Sequence, residues 1–496
     1  MKVGYVREQE RYSKKELIEK FGLNNQSVLR FIEKLELIKV LKNVKNDFKQ
    51  KSSTDWADED IEILGDDFEN GDYLYLFTFV GALTIGDIVI LSFPKYLLTE
   101  TEPFEEMKEV IKVLKKYNSE ENIVRPYSGF DDQKEFNFLS VCLYLINDYY
   151  ENGIYMNQKN IIETNGEGEI LWDNTINDTL ALIIRNKPYY LELKTKNFDN
   201  DEMDYISRLH KCIITDCCEK LKEAHLLDLF EIDDLHLSDE RLDNFGETDY
   251  MIYKLKSELN VQFITKKQIL LKTLCMYLEH SKSFMEHFSL SIYGTNSFYN
   301  VWEKACASVF DNKLVTKLSN LNLPVDLHED YDSKKDCTLL EIIEKPKWVY
   351  FGSQKKEHDA EGTLKPDLIS LYEVDDEVCF GIFDAKYYNL QLDKDTLENT
   401  PGVSDITKQY LYQMAYNDFI SKHEFSYISN AFLMPTEEDS FEVIGEAKMN
   451  ILEGLSCPPL INISVIKLSA KKVFKHYLRN EKINIQKLKV YKKLEY

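Results

Sequence analysis

The sequence has no C-x-x-C pair, no G-x-x-x-x-G-K-[ST] loop, no internal repeat and no low-complexity linker. Each absence excludes something. The nine cysteines are scattered, and the one close group, Cys212, Cys217 and Cys218, lacks the paired spacing of a zinc site. They read as reduced thiols of a cytoplasmic protein. The charged start, Met1–Lys15, has no secretory apolar core. The most apolar stretch, Tyr73–Phe93, is interrupted by Gly81, Gly86 and Asp87 and is rich in β-branched and aromatic residues. It predicts two or three buried strands and no membrane span. Without the phosphate-binding loop, any nucleotide hydrolysis must come from another chain. Positive charge is short as well: 61 Lys and Arg face 86 Asp and Glu, a balance of −25. That argues against a general nucleic-acid coat, whose affinity comes from neutralising phosphates.

What is present is a 496-residue chain with 44% hydrophobic residues, 31 Tyr and 27 Phe. It is long and apolar enough for several cored domains. The expected class is α+β and multidomain, with divisions at 1–120, 121–285 and 286–496. Residues 13–40 predict two short helices around a turn. Ser13 and Glu16 form a capping box, Leu17, Ile18 and Phe21 an apolar stripe, and Gly22 the stop. Asn24 or Asn25 caps the second helix, whose expected apolar positions are Val28, Leu29, Ile32 and Leu35. Its outer face carries Asn25, Gln26, Ser27, Arg30 and Lys34, the helix-turn-helix arrangement of a winged-helix-like unit. Gln26, Ser27 and Arg30 are its candidate DNA contacts; a purely structural or partner-binding unit is the alternative. Beyond the acidic stretch Asp55–Asp72, helices are expected near 103–117 and 134–156, a strand pair within 168–195, and long helices over 201–285.

The chemistry concentrates near residue 375. Asp367–Tyr372 and Val378–Phe383 are strand-like, and Val374–Glu377 between them is a polar turn. A turn centred on Asp375–Asp376 sets Asp367 opposite Asp384, with Cβ atoms about 5 Å apart. Lys386, two residues on, projects from the same face. Two carboxylates at that spacing suit Mg²⁺, with Mn²⁺ able to substitute, and the Ala385 carbonyl can add a ligand. Such a metal polarises a phosphodiester and activates water, which Lys386 can orient. The bland alternative is an exposed ion pair on a surface hairpin. A second D…E-x-K pattern, Asp178 with Glu192 and Lys194, fits less well. A turn near Asn186–Lys187 would pair Glu192 with Ala181, not with Asp178.

The Pro366-Asp367…Asp384-Ala385-Lys386 arrangement, followed by Tyr387-Tyr388, resembles nucleases of the PD-(D/E)XK type. It is similar to McrC-type subunits and, more closely, to the LlaJI family of restriction endonucleases. Gly168-Glu-Ile-Leu-Trp172 with Thr175-Ile176, and the segment from Gly81 to Pro94-Lys95-Tyr96, extend the likeness. The resemblance implies a restriction-endonuclease-like α/β fold at the C-terminus, with Asp367 and Asp384 as metal ligands and Lys386 as the catalytic lysine. It implies a further acid from a preceding helix, for which Glu303 is the candidate. Gln409, Tyr412, Gln413 and Tyr416 share one helical face and resemble the Q-x-x-Y helix of RecB-like nucleases, where they would contact DNA. A Tyr-rich core stripe is the other reading. The last thirty residues, Lys467–Tyr496, hold ten Lys or Arg against two Glu, a candidate phosphate-tracking surface.

The implied function is a Mg-dependent endodeoxyribonuclease subunit of a restriction, and so anti-phage, system. It would act on double-stranded DNA beside a separate AAA+ McrB-like GTPase, with no membrane and with a homo-oligomer left open. The rivals are an autonomous Mg-dependent endonuclease and a non-enzymatic winged-helix DNA-binding adaptor.

Overall fold

The computed structural model describes residues 2–45, 73–85, 88–120, 138–200, 204–223, 226–281, 290–351, 355–392, 395, 397–452 and 459–494. The acidic stretch Asp55–Asp72 and Cys457 lie outside them. The chain is mixed α+β and divides into two compact units. One comprises Arg125–Ile292 with Thr84–Asp87. The other joins Lys2–Leu83 and Ile88–Val124 to Tyr293–Tyr496. The two ends of the chain therefore share one unit.

At its N-terminal end that second unit opens with strands β1 (Lys2–Arg7) and β2 (Arg11–Ser13), then helices α1 (Lys14–Phe21) and α2 (Ser27–Leu37). Ser13 and Glu16 form the capping box, and Gly22 ends α1 in the left-handed conformation, φ 63°, where a missing Cβ removes the steric penalty. The N-cap of α2 is Gln26, which makes no side-chain cap bond, and not the expected Asn24 or Asn25. Asn24 instead closes the turn before it, its Oδ1 accepting from the Gln26 and Ser27 amides at 3.0 and 2.8 Å. The apolar stripe of α2 differs from expectation. Val28, Phe31, Ile32 and Leu35 are buried, while Leu29 is 47% exposed. Phe31 takes the place by stacking on Phe21 of α1, 5.1 Å between rings. Strands β3 (Leu41–Lys45) and β4 (Tyr73–Phe77) complete a small antiparallel sheet, β2-β4-β3.

The apolar stretch forms β4, β5 (Val80–Ile85) and β6 (Ile88–Phe93). β6 runs parallel to β1, and the next sheet has the order β1-β6-β5-β7, with β7 at Leu290–Thr295. Gly81, at φ 145°, permits the approach of β7, since a Cβ there would lie 2.2 Å from the Tyr293 carbonyl oxygen. Among the described residues no helix is long and apolar enough to cross a membrane. Helix α3 (Phe104–Glu120) follows.

The C-terminal part of the same unit contains α4 (Phe298–Val309), a hairpin of β8 (Lys347–Phe351) and β9 (Lys355–Asp359), and a six-stranded sheet. The sheet is built from β10 (Leu368–Val374), β11 (Glu377–Ala385), β12 (Tyr427–Thr436), β13 (Phe441–Ala447) and β14 (Ile463–Ser469), in the order β10-β11-β12-β14-β13. The last strand, β15 (Tyr491–Lys493), pairs with β12. Helix α5 (Val403–Lys422) connects the parallel strands β11 and β12. Its Tyr416 and Phe419 pack with Phe380 of β11 and Phe425 in one apolar core. Helix α6 (Ala470–Arg479) buries Val473, Phe474 and Tyr477. Several lysines of the basic C-terminus pair with acids of the same unit. Lys472 meets Asp439 at 3.2 Å, and Lys492 meets Glu446 at 3.2 Å.

In the other unit, helices Tyr205–Glu223, Thr248–Val261 and Thr265–Ser281 dominate. Cys212, Cys217 and Cys218 are buried in the first as free thiols. The hairpin Ala181–Ile184/Lys187–Tyr190 turns on Arg185–Asn186, both at positive φ. The turn is one residue earlier than expected, so Ala181 pairs with Tyr190 and not with Glu192. Asp178 ends a short helix, Trp172–Asp178, while Lys194 begins a strand paired with Gln158–Thr164. The second D…E-x-K pattern is therefore split between different elements.

Candidate active site

The hairpin β10–β11 folds in the register its sequence predicts. Asp375 and Asp376 both take positive φ, 49° and 65°, as a two-residue hairpin turn requires. Val374 pairs with Glu377, and the ladder runs without a bulge to Leu368 and Phe383. One step further, Asp367 falls opposite Asp384. Alternation keeps Asp384 and Lys386 on one face, and Lys386 is fixed at its main chain by a 3.0 Å bond to the Leu433 carbonyl. Asp367 Oδ2 accepts from the Ala385 amide at 2.8 Å, which ties the two strand ends together.

These charges are held against a low-dielectric interior. Burial pushes the Asp367 carboxyl up to about 9, helped by hydrogen bonding and repulsion from Asp384 and by Glu303; the Ala385 amide opposes the rise. Glu303, on α4, is pushed up to about 7 by burial and by Asp384, against the pull of Lys386 and Lys365. For Lys386 burial works downward, but Asp384 at 2.9 Å and Asp405 at 3.1 Å outweigh it and hold the ammonium charged. Four acids, Asp367, Asp384, Glu303 and Asp405, and two lysines, Lys386 and Lys365, thus lie in a single field. Two adjacent carboxyls, with Asp367 pushed upward by burial and by Asp384, form an oxygen-donor pair that fits a small hard dication. Among the described residues no three His, Cys, Asp or Glu side chains converge closely enough to hold an ion alone. Asp367 and Asp384 would therefore leave much of the coordination shell to water, main chain and phosphate, as Mg²⁺ favours.

The helical face on α5 behaves differently from a DNA-reading surface. Gln409, Gln413 and Tyr416 are fully buried. Gln409 Nε2 donates to the Ile382 carbonyl at 3.2 Å, Gln413 Nε2 to the Pro459 carbonyl at 3.0 Å, and the Tyr416 hydroxyl to the Leu339 carbonyl at 2.9 Å. Their contacts with phosphate are corrected to contacts with main chain, because buried amides and phenols must be paired. Tyr412 is the member that stays beside the site. Burial, with Asp384 and Asp367 nearby, pushes its phenol up to about 12. On α2, Gln26 and Arg30 are exposed. The Ser27 hydroxyl is engaged with Asn24, accepting from its amide at 2.8 Å and donating to its carbonyl at 3.1 Å.

Sequence reasoning missed Asp405 and Lys365. An acid in the first turn of a helix is explained locally by the helix dipole, so nothing in its spacing pointed to Lys386. It also missed the mooring of Tyr387. That hydroxyl donates to Glu8 Oε2 at 2.6 Å, and Lys95 Nζ lies 4.8 Å from its ring centre. The Pro-Lys-Tyr segment and the Tyr-Tyr after Lys386 are thus in contact.

Residues 79–471 match the LlaJI restriction endonuclease family, most of the chain and all of this site. The chain belongs to that family. It is also 27% identical over 420 residues to the "Type II restriction enzyme BsuMI component YdjA" of Bacillus subtilis (strain 168), an alignment covering 82% of this chain and 81% of the relative. Among solved structures, a chain of a Thermococcus gammatolerans half-complex of McrB AAA+ hexamers with bound McrC aligns over 96% of this chain and 99% of its own length. The identity is 12% and the TM-score 0.36. A chain of the Thermococcus gammatolerans McrBC complex aligns over 56% of this chain and 79% of its own, at 10% identity and TM-score 0.22. The matched segment carries Glu303, Asp367, Asp384, Lys386 and Asp405, whereas Glu8, which holds Tyr387, lies before it.

Proposed function

We propose that this restriction-system component is its DNA-cutting subunit, an endonuclease that hydrolyses phosphodiester bonds of double-stranded DNA with Mg²⁺. The observation that carries the reading is the Asp367 carboxyl bonded to the Ala385 amide at 2.8 Å and beside that of Asp384, with Lys386 2.9 Å from Asp384. Asp367, Asp384 and the Ala385 carbonyl would hold the ion, with Glu303 in their field but not close enough to make a third carboxylate ligand. When bound, the ion would supply the charge that polarises the phosphate and acidifies the attacking water. The chain's own residues then divide the work. Lys386, kept cationic between two acids, orients the water and offsets charge on the phosphate. Glu303, raised to about 7, can take up a proton near neutral pH. Asp405 positions the Lys386 ammonium.

On this reading the C-terminal sheet with α4 and α5 is a PD-(D/E)XK fold. The β2–α1–α2–β3–β4 unit is a winged helix, with Gln26 and Arg30 free to meet DNA. The partner is a separate AAA+ McrB-like GTPase, since the sequence has no phosphate-binding loop of its own and the relative is itself named a component. In the other unit the hairpin around Arg185–Asn186 exposes Leu182, Ile183, Ile184 and Tyr189. Contiguous apolar surface of this kind marks a protein contact, which favours partner docking over DNA reading for that unit.

The test is plasmid cleavage by the purified chain with Mg²⁺, with and without the GTPase and GTP, beside Lys386→Ala. Cutting only with partner and GTP, lost in the variant, is expected. Cutting by the chain alone would favour an autonomous enzyme. DNA binding without cleavage under any condition would favour the adaptor, and a variant that cuts like the parent would overturn the site.

A further inference from the structure

The β8–β9 hairpin stands apart from the six-stranded sheet as its own two-stranded ribbon. Its ladder pairs Trp348 with His358 and Tyr350 with Lys356, and strand alternation puts these four side chains on one face. Trp348 is 71% and Tyr350 65% exposed, with Phe351 on the other face at 85%. Lys347, Lys356 and His358 are exposed too. A two-stranded ribbon has no core of its own to hide such rings, and three bare aromatics cost solubility unless something covers them. The local charge says what. On the face that carries Trp348 and Tyr350 their strand partners are His358 and Lys356 and no acid, while Glu357 and Asp359 alternate to the other face with Lys347, so the covering partner is an anion with flat apolar faces.

The ribbon is also moored to the site. Its base is closed by the Ala360 amide donating to the Pro346 carbonyl at 2.8 Å and by the Thr363 hydroxyl donating to the Glu344 carbonyl at 2.9 Å. Ile343 and Leu364, flanking the ribbon, pack into the same core as Ile369, Phe380 and Tyr412. From Ala360 to Asp367 the chain can span at most about 25 Å, less than one turn of duplex DNA, about 34 Å.

We propose that this hairpin is a DNA-strand clamp. Unstacked bases of a strand entering the site stack on Trp348 and Tyr350, while Lys356, on the same face, meets a flanking phosphate. Aromatic rings accept any base, because every base has a π-face. The clamp therefore grips without reading sequence and favours single-stranded or locally opened DNA over closed duplex. The inference rests on the nuclease reading for its purpose, but binding tests it separately.

The experiment uses the full chain in EDTA, with labelled single-stranded and duplex oligonucleotides. Trp348→Ala/Tyr350→Ala should weaken single-strand binding at least ~10-fold, with duplex binding less affected, and Lys356→Ala should reduce the salt slope by about 1. Thermal melting and solution mass should match the parent, since these side chains are exposed. Unchanged single-strand affinity in the double variant overturns the clamp, as does a parent that binds no DNA. A parent dimer that the double variant splits also overturns it, making the face a contact between copies. Asp384→Asn keeps the two questions apart. It should bind like the parent and not cut; cutting by Asp384→Asn would sink the nuclease site and leave the clamp standing.

Discussion

The Tyr387 hydroxyl donates a 2.6 Å hydrogen bond to the buried carboxylate of Glu8, joining residues 379 positions apart. Glu8 follows the first strand, and Tyr387 follows Lys386. The Lys95 amide donates to both groups, at 3.4 Å to Glu8 and 3.2 Å to Tyr387. The start of the chain thus braces the end of the strand that presents the candidate lysine. Tyr387→Phe leaves the Glu8 carboxylate short of a donor and should cost about 1.5–3 kcal/mol. Denaturant titration of the full chain checks this. A loss within experimental error would mean that the brace carries no stability.

Asp405 holds the Lys386 ammonium at 3.1 Å from outside the hairpin. Asp405→Asn keeps the shape and removes the pull, so the ammonium relaxes toward Asp384. Cleavage should slow by about 10- to 100-fold with DNA affinity unchanged. A variant that cuts at the parent rate would show that Lys386 needs no second acid.

The raised Asp367 carboxyl has a consequence for stability. Its folded value, about 9, exceeds the ordinary 3.8. Between those values the folded chain keeps a proton that the unfolded chain has lost. By linkage, the metal-free protein should lose stability as pH rises through this window. Asp367→Asn removes the titration while retaining an oxygen for the Ala385 amide. Between about pH 6 and pH 9 the variant's melting temperature in EDTA should fall less than the parent's. A parent curve no steeper than the variant's would refute the coupled pair.

Two tyrosines one turn apart on α5 should separate structure from chemistry. Tyr416→Phe breaks a fully buried bond to Leu339 and should cost about 1 kcal/mol with cleavage intact. Tyr412→Phe removes a phenol beside Asp384 and Asp367 and should alter the cleavage rate with little change in stability. If Tyr416→Phe instead weakens DNA binding at full stability, the buried face has been misread.

Glu192→Gln with Lys194→Ala should leave cleavage untouched. Glu192 is exposed, and Lys194 Nζ bonds the Thr164 hydroxyl at 3.0 Å, in a sheet of the other unit. Loss of cutting in this double variant would move the active site.

The sequence by itself determined what local rules govern. Ser13, Glu16 and Gly22 bound α1 through contacts within a few residues. Asp375–Asp376 and strand alternation together set the β10–β11 register, so the opposition of Asp367 and Asp384 was legible before any coordinates. Periodicity also marked one face of α5, but a period says only that residues share a face. Whether Gln409, Gln413 and Tyr416 meet solvent or the carbonyls of Ile382, Pro459 and Leu339 depends on what packs there. The same holds for Leu29, which the helix pattern offered as core and Phe31 displaced by reaching Phe21. Asp405 beside Lys386, Glu303 in the field of Asp384, and Glu8 under Tyr387 join distant segments. Such pairings leave no trace in spacing, because they arise when separate apolar faces bury one another and bring their polar edges along. Only the tertiary structure decided them.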